Sequence, residues 1–294
     1  MNTRPLAAAF IGAWIIGQTA APLAAQPAAP KSVDVNLPRP SPGQESKLVA
    51  EVRDYAIHYT SSLPDFICLE KISRYTQGDR DSTPRLNDVL TARLTFFNQK
   101  EEYKLLTQNG RPVSGVSYAS MAGPFSVGDF GSMMRQLFDP ASHATFDWKK
   151  WTMLRGRRTH VFSYRMPPGA SNFTIEFSGE QSEQKGNLQH AQVGRRGSVF
   201  VDDQFQTIVR IVQEAVNIPP SFPISHAEET LDYGFIKIGD REFFLPLTAI
   251  LEMRSHDGLT RNVKEFQSYQ KFSADAVMKF DSTGLPPAQP QMPQ

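Results

Sequence analysis

Basic and acidic side chains nearly cancel in this 294-residue chain, 31 against 30, which excludes a nucleic-acid partner recruited by bulk charge. Cys68 is the only cysteine, so an intramolecular disulfide and a multi-cysteine zinc site are both excluded. The 20 Phe and 8 Tyr favour a β-rich fold, because aromatic rings pack well on pleated surfaces.

In chain order, Arg4, the apolar run Leu6 to Gly17 and the small residues Leu23-Ala24-Ala25 read as a secretory signal peptide, residues 1–25, cleaved near Ala25. That run is shorter than the ~20 apolar residues a spanning helix needs, and no later segment reaches this length. The expected location is therefore periplasmic or secreted, with no transmembrane anchor. Residues 26–44 are rich in Pro and Ala and read as an extended, mobile leader. Residues 45–282 read as a single β-rich domain, and the Pro/Gln-rich stretch 283–294 as a disordered tail.

The domain opens with a helix over Lys47 to Ser62, capped by Ser46 and ended by Pro64, with Leu48, Val52, Tyr55, Ala56 and Tyr59 on one face. Strands follow at Asp65 to Tyr75 and Asp88 to Phe97. In the second, Leu90, Ala92, Leu94 and Phe96 alternate with Thr91, Arg93 and Thr95, giving one buried face and one wet face. Asn98-Gln99-Lys100 turns the chain into Glu101 to Leu106, and Asn109-Gly110 is a hairpin signal. A second helix is expected over Gly128 to Phe138, stopped by Asp139-Pro140. Further strands are expected at Thr145 to Leu154, Thr159 to Met166 and Ser171 to Ser178. Gly179 to Gly197 reads as a polar, mobile loop. Strands then resume at Ser198 to Asp202, Gln206 to Glu214, Glu229 to Ile238, Glu242 to Arg254 and Thr260 to Phe272. The class is α+β, and an antiparallel sheet of about ten strands tends to curl or close as twist accumulates.

The stretch Gly197-Ser198-Val199-Phe200-Val201-Asp202-Asp203-Gln204-Phe205-Gln206-Thr207-Ile208-Val209-Arg210-Ile211 resembles the Val-x-Val-Asp, turn, Ile-x-Arg-Ile hairpin of periplasmic lipoprotein carriers with the LolA/LolB-like fold. The order of elements is similar as well. The chain also resembles large secreted proteins of soil bacteria with no assigned function. That likeness lies in Leu63-Pro64-Asp65-Phe66-Ile67-Cys68, Arg155-Gly156-Arg157-Arg158, the same hairpin, and Arg261-Asn262 leading to Phe266. The carrier resemblance implies a curved, unclosed antiparallel barrel or half-barrel, with the N-terminal helix and the second helix on its concave face. It also implies an apolar cavity between them that accepts acyl chains. Its lid-contacting arginine falls on Arg74, Arg85 or Arg93, with no motif to choose among them.

Each candidate site also has an ordinary structural role open to it. Phe130, Met133, Met134 and Leu137 form either a movable lid, with Gly128 and Gly131 permitting bending, or a core helix on the sheet. Trp148 and Trp151, three apart on a strand, should face opposite sides; one is available to stack on a ligand, unless both simply pack. Arg155, Arg157 and Arg158, followed by Arg195 and Arg196, can bind an anionic head group if they meet at one rim, and are otherwise solvated turn charges. Cys68 suits core packing, Ser126 a helix cap, and Asp202-Asp203 a turn. The six histidines show no metal-ligand spacing, and the paired acids lie on adjacent residues that point apart. No catalytic residue, metal or cofactor is therefore expected. The reading is a non-enzymatic, extracytoplasmic binding or carrier protein for an apolar or acylated ligand or a lipidated protein. The alternatives are an envelope scaffold with a filled core and, last, a secreted hydrolase with a site assembled from scattered residues.

Overall fold

The computed structural model describes residues 29–78, 81, 83–113, 130–170, 173–177, 189–256, 258–273 and 276. The expected signal peptide, Ser126, Gly128, most of the polar insertion and the C-terminal tail lie outside them.

Helix α1 spans Pro42–Ser62. It starts earlier than the expected Lys47 because Ser41, not Ser46, is the cap. The Ser41 hydroxyl accepts from the Gln44 N–H, the Gln44 side chain accepts from the Ser41 N–H at 2.8 Å, and Pro42 supplies a preset φ. Leu48, Val52, Ala56 and Tyr59 form the buried face.

Among the described residues fourteen strands follow or flank it: β1 Ser32–Val35, β2 Phe66–Gln77, β3 Arg85–Phe97, β4 Lys100–Gln108, β5 Arg111–Pro112, β6 Thr145–Leu154, β7 Arg157–Met166, β8 Thr174–Phe177, β9 Gln189–Gln192, β10 Gly194–Asp202, β11 Ile208–Val216, β12 Ile224–Ile238, β13 Arg241–Ser255 and β14 Gly258–Lys271. Twelve make one antiparallel sheet in the order β1-β6-β7-β10-β11-β12-β13-β14-β2-β3-β4-β5, whose end strands do not pair with each other. The sheet is thus unclosed, and it is also curled. In a flat sheet β7 and β3 would stand about 34 Å apart, at roughly 4.8 Å per strand. Yet Phe162 and Tyr164 of β7 and Leu94 and Phe96 of β3 join one core cluster with α1. Helix α2, Ser132–Phe138, packs on the same concave face. The fold is a curved α+β half-barrel, as expected.

Several expectations need correction. The supposed leader is not detached from the fold: Ser32–Val35 pairs with Trp151–Leu154 of β6, and the leader also supplies the first turn of α1. Phe173 precedes its strand, and β8 leaves the main sheet to pair with β9. The expected loop Gly179 to Gly197 contributes all of β9 and the first residues of β10. The second face of β3 is not wet: Arg93 and Thr95 are buried, on the side where Ile67, Leu69, Leu106 and Ala276 cluster. Alternation read from β3 alone cannot show that a neighbouring segment covers both faces.

Candidate functional site

The concave interior is built by strand phase. Alternate residues of β10, β11 and β12 face inward, and stepping along each gives the same sequence of environments. Val199, Ile211 and Leu231 belong to the main core; Ala215, Ala227 and Val193, which immediately precedes β10, belong to a second apolar cluster with Ile175 of β8 and Ala191 of β9. Between them lie Arg195 and Gly197, Gln213, and Glu229. The register is Tyr164 of β7 opposite Gly197, Gly197 opposite Gln213, and Gln213 opposite Glu229. A polar belt therefore crosses the interior between two apolar clusters.

This belt is buried: Tyr164 is 4 %, Arg195 2 %, Gln213 4 % and Glu229 4 % exposed. The Gln213 amide N–H donates to Glu229 Oε2 at 2.6 Å, and Arg195 Nη2 donates to Gln136 Oε1 of α2 at 3.2 Å. The Arg195 guanidinium stacks 4.6 Å from the Phe173 ring centroid. Tyr164 Oη, Arg195 Nε and Gln213 Oε1 have no hydrogen-bond partner among the described residues. Burial drives the Tyr164 phenol well above its ordinary value; Arg195 opposes this and Glu229 reinforces it. Burial also lowers Arg195, against the raising influence of Tyr164 and Glu229. Gly197 has no side chain to offer the belt, and none would fit: a Cβ there would lie 1.8 Å from the Val212 carbonyl oxygen. Further round the sheet, Lys264 and Glu70 form a buried ion pair at 3.2 Å.

The interior above the belt is apolar and aromatic. Phe66, Phe96, Phe130, Phe266 and Tyr269 form a contiguous ring cluster, with Phe66 and Phe96 stacked at 5.1 Å. Tyr59 of α1 donates to the Phe244 carbonyl at 2.7 Å and meets Tyr233 edge-on. Phe130, Met133, Met134, Leu137 and Phe138 are all buried, so the stripe that reads as lid or core occupies core positions. Helix α2 is shorter than expected, beginning at Ser132 because Gly131 takes a left-handed φ of 118°. A Cβ at Gly131 would come within 2.7 Å of the Tyr59 ring, so the glycine seats α2 against α1.

The arginine clusters do not meet. Arg195 and Arg196 pair with Met166 and Arg165 at one end of β7, whereas Arg157 and Arg158 begin that strand. Arg157 grips Asp202 at 2.5 and 2.9 Å, Arg158 binds Asp203, and Arg196 holds Glu214 with two bonds of 2.7 Å. Arg155, at the turn, donates to the carbonyls of Val209 and Tyr233. Burial pushes the Asp202 carboxyl up, but Arg157 and the N–H groups of Phe205 and Gln204 outweigh it and hold it low. Those N–H bonds, both 2.9 Å, make Asp202 the expected turn residue. Arg195 alone of the five reaches the interior belt. Of the arginines raised by the carrier resemblance, Arg74 is engaged by Asp88, Arg85 is exposed, and Arg93 lies opposite Leu69 on the outer face.

Trp148 and Trp151 are not on opposite faces. A register shift between Trp148 and Lys150 puts both on the inner side, with ring centroids 6.2 Å apart. Trp148 Nε1 donates to His160 Nδ1 at 3.1 Å, which leaves Nε2 to donate to Asp203 at 3.1 Å. Trp151 covers the imidazole at 3.9 Å and donates to the Pro38 carbonyl. Burial lowers the His160 pKa; Asp203 and the more distant Glu45 oppose this, and Arg158 adds to it. Cys68 is fully buried in the main core. Among the described residues no three His, Cys, Asp or Glu side chains converge to hold a metal. An open groove of about 540 Å³ is lined by polar strand positions such as Ser163, Arg165 and Glu214 and also by Phe146, Tyr164 and Val212, and its Arg196 is already paired.

Sequence reasoning missed Tyr164, Gln213 and Glu229. The signal was there: each sits in the inward phase of a strand between two apolar inward residues.

The site thus belongs to an antiparallel half-barrel whose apolar concave face carries two helices and a buried polar belt. No family model and no curated protein matches the chain. Among solved structures it is similar to a LolA superfamily protein from Nitrosomonas europaea, at 10 % identity over 79 % of this chain and 96 % of that one, with a TM-score of 0.29. It is also similar to a DUF1329 family protein from Desulfovibrio piger, at 11 % identity over 80 % of this chain and 98 % of that one, with a TM-score of 0.36.

Proposed function

We propose that the protein is a non-enzymatic carrier or binding protein that works outside the cytoplasm and holds an apolar or acylated ligand, or the acyl group of a lipidated protein, against its concave face. The observation that carries this reading is the way α2 covers that face. The helix has seven residues and no side-chain cap, and it presents Met133, Met134, Leu137 and Phe138 to the interior. A helix this short has no stability of its own in water. It is held by apolar contact, and an alkyl chain offers the sheet the same contact. A ligand that displaced α2 would replace its contacts with the sheet, at the cost of exposing those four side chains. The N-terminal pattern of residues 1–25 supports the location, and no helix among the described residues is long and apolar enough to cross a membrane.

The well-filled core also favours the second reading, an envelope scaffold with no ligand. Native mass spectrometry of the mature protein, purified without detergent, separates the two. The carrier reading expects a reproducible adduct of lipid mass that organic extraction removes. A bare polypeptide mass from every preparation would sink it and leave the scaffold.

A further inference from the structure

We infer that the belt of Tyr164, Arg195 and Gln213 recognises a secondary amide attached to an alkyl chain. This deepens the carrier reading and rests on it. Each of the three carries a buried polar atom without a partner among the described residues, and such atoms are costly to leave unpaired in a folded protein. They sit on one inner surface. The register puts Tyr164 and Gln213 on either side of Gly197, with Arg195 two residues along the same strand. Gly197 places no side chain between Tyr164 and Gln213, and its own backbone lies close against the Val212 carbonyl.

The kinds of orphaned atom define the ligand. Tyr164 O–H and Arg195 Nε–H are donors, and Gln213 Oε1 is an acceptor. A carbonyl oxygen has two lone pairs and takes both donors. A hydrogen on the neighbouring atom takes the acceptor. A secondary amide carries both groups on opposite edges, whereas an ester has the carbonyl but leaves Gln213 Oε1 unpaired. A carboxylate also lacks the hydrogen and brings a charge. The belt already holds one guanidinium, Arg195, and one acid, Glu229, whose influences meet at Tyr164, so charge complementarity favours a neutral group. The apolar clusters on both sides suit an alkyl substituent.

The test compares N-methyldecanamide, methyl decanoate and decanoic acid as competitors for an apolar fluorescent dye bound to the protein. In the wild-type protein the amide should displace the dye at about one-tenth the concentration of the ester, since an unpaired buried acceptor costs about a factor of ten or more. Gln213→Leu should abolish or reverse the amide's advantage, because the amide hydrogen then enters the site without an acceptor. Tyr164→Phe, which removes a donor common to both complexes, should weaken both about fivefold and preserve their ratio. These ratios are measured within one variant, so a general loss of stability does not imitate them. Equal affinity of amide and ester in the wild-type protein would overturn the amide site and leave the carrier reading standing. Failure of all three compounds and of the dye to bind would overturn both.

Discussion

The ion pair between Lys264 and Glu70 offers a direct check on how the half-barrel tolerates charge inside it. Lys264 is 1 % and Glu70 0 % exposed, and the charged atoms are 3.2 Å apart. With an effective dielectric constant of about 20, their attraction is about 5 kcal/mol. Removing both ions from water costs several kcal/mol each, so the pair as a whole contributes little net stability. Its two halves behave differently. Lys264→Met keeps the length of the side chain but removes the cation 3.2 Å from the buried Glu70 carboxylate, and should destabilise the fold by about 3–5 kcal/mol. The double variant Lys264→Met with Glu70→Leu removes both charges and should recover most of that loss. Urea denaturation of wild type, both single variants and the double variant closes the cycle, with the midpoint reporting stability at constant slope. If the double variant is as unstable as Lys264→Met alone, the pair acts through shape and not through charge, and the reasoning fails.

Two further expectations are simpler. Gly197→Ala should cost at least about 3 kcal/mol or abolish folding, because its Cβ would sit 1.8 Å from the Val212 carbonyl oxygen and force β10 from β11; a wild-type urea midpoint would refute the close approach. His160 has a pKa held below its ordinary value of 6.5, chiefly by burial, so the folded state prefers the neutral ring. The imidazole faces Trp148, Trp151, Asp203 and Arg158, with Glu45 further off. Its contribution to stability is present above pH 6.5 and is lost as the pH falls through the lower, folded-state pKa. Thermal unfolding should therefore show a steeper loss between about pH 7 and pH 5 in wild type than in His160→Asn, and identical slopes would show that the ring titrates as if solvated.

The fold was legible in the sequence wherever one strand's alternation decided one face. The hairpin of β10 and β11 around Asp202 folds as its residues indicate, as does the turn at Asn98-Gln99. Failures occurred where a distant segment changed the environment. Nothing in Ser32–Val35 announces a strand, because its pairing is supplied by β6, whose Lys150 donates to the Asp34 carboxylate at 2.8 Å. Nothing within β3 reveals that its outer face is covered at Arg93 and Thr95. The single extra residue between Trp148 and Lys150 reversed the expected facing of the indoles, and a bulge has no composition that sets it apart from an ordinary strand position.

The arginines show why the site was harder to read than the fold. Arg155, Arg157, Arg158, Arg195 and Arg196 look alike in sequence, each beside or near a glycine. Strand phase separates them. Arg196 points outward and finds Glu214 across the strand pair; Arg157 and Arg158 find Asp202 and Asp203, which the next hairpin turn brings back beside them. Arg195 is one residue from Arg196 and therefore faces the other way, into the interior. There the positions opposite it are Met166 and Ala215, which carry no acid, so it stacks on Phe173, reaches Gln136 of α2 and keeps Nε unpaired. An arginine fully answered by a carboxylate has little left to offer a ligand. The one that is buried, desolvated and only partly satisfied keeps a directed N–H for a group that enters beside it, which is why the interior belt, and not the rim, is where recognition should be sought.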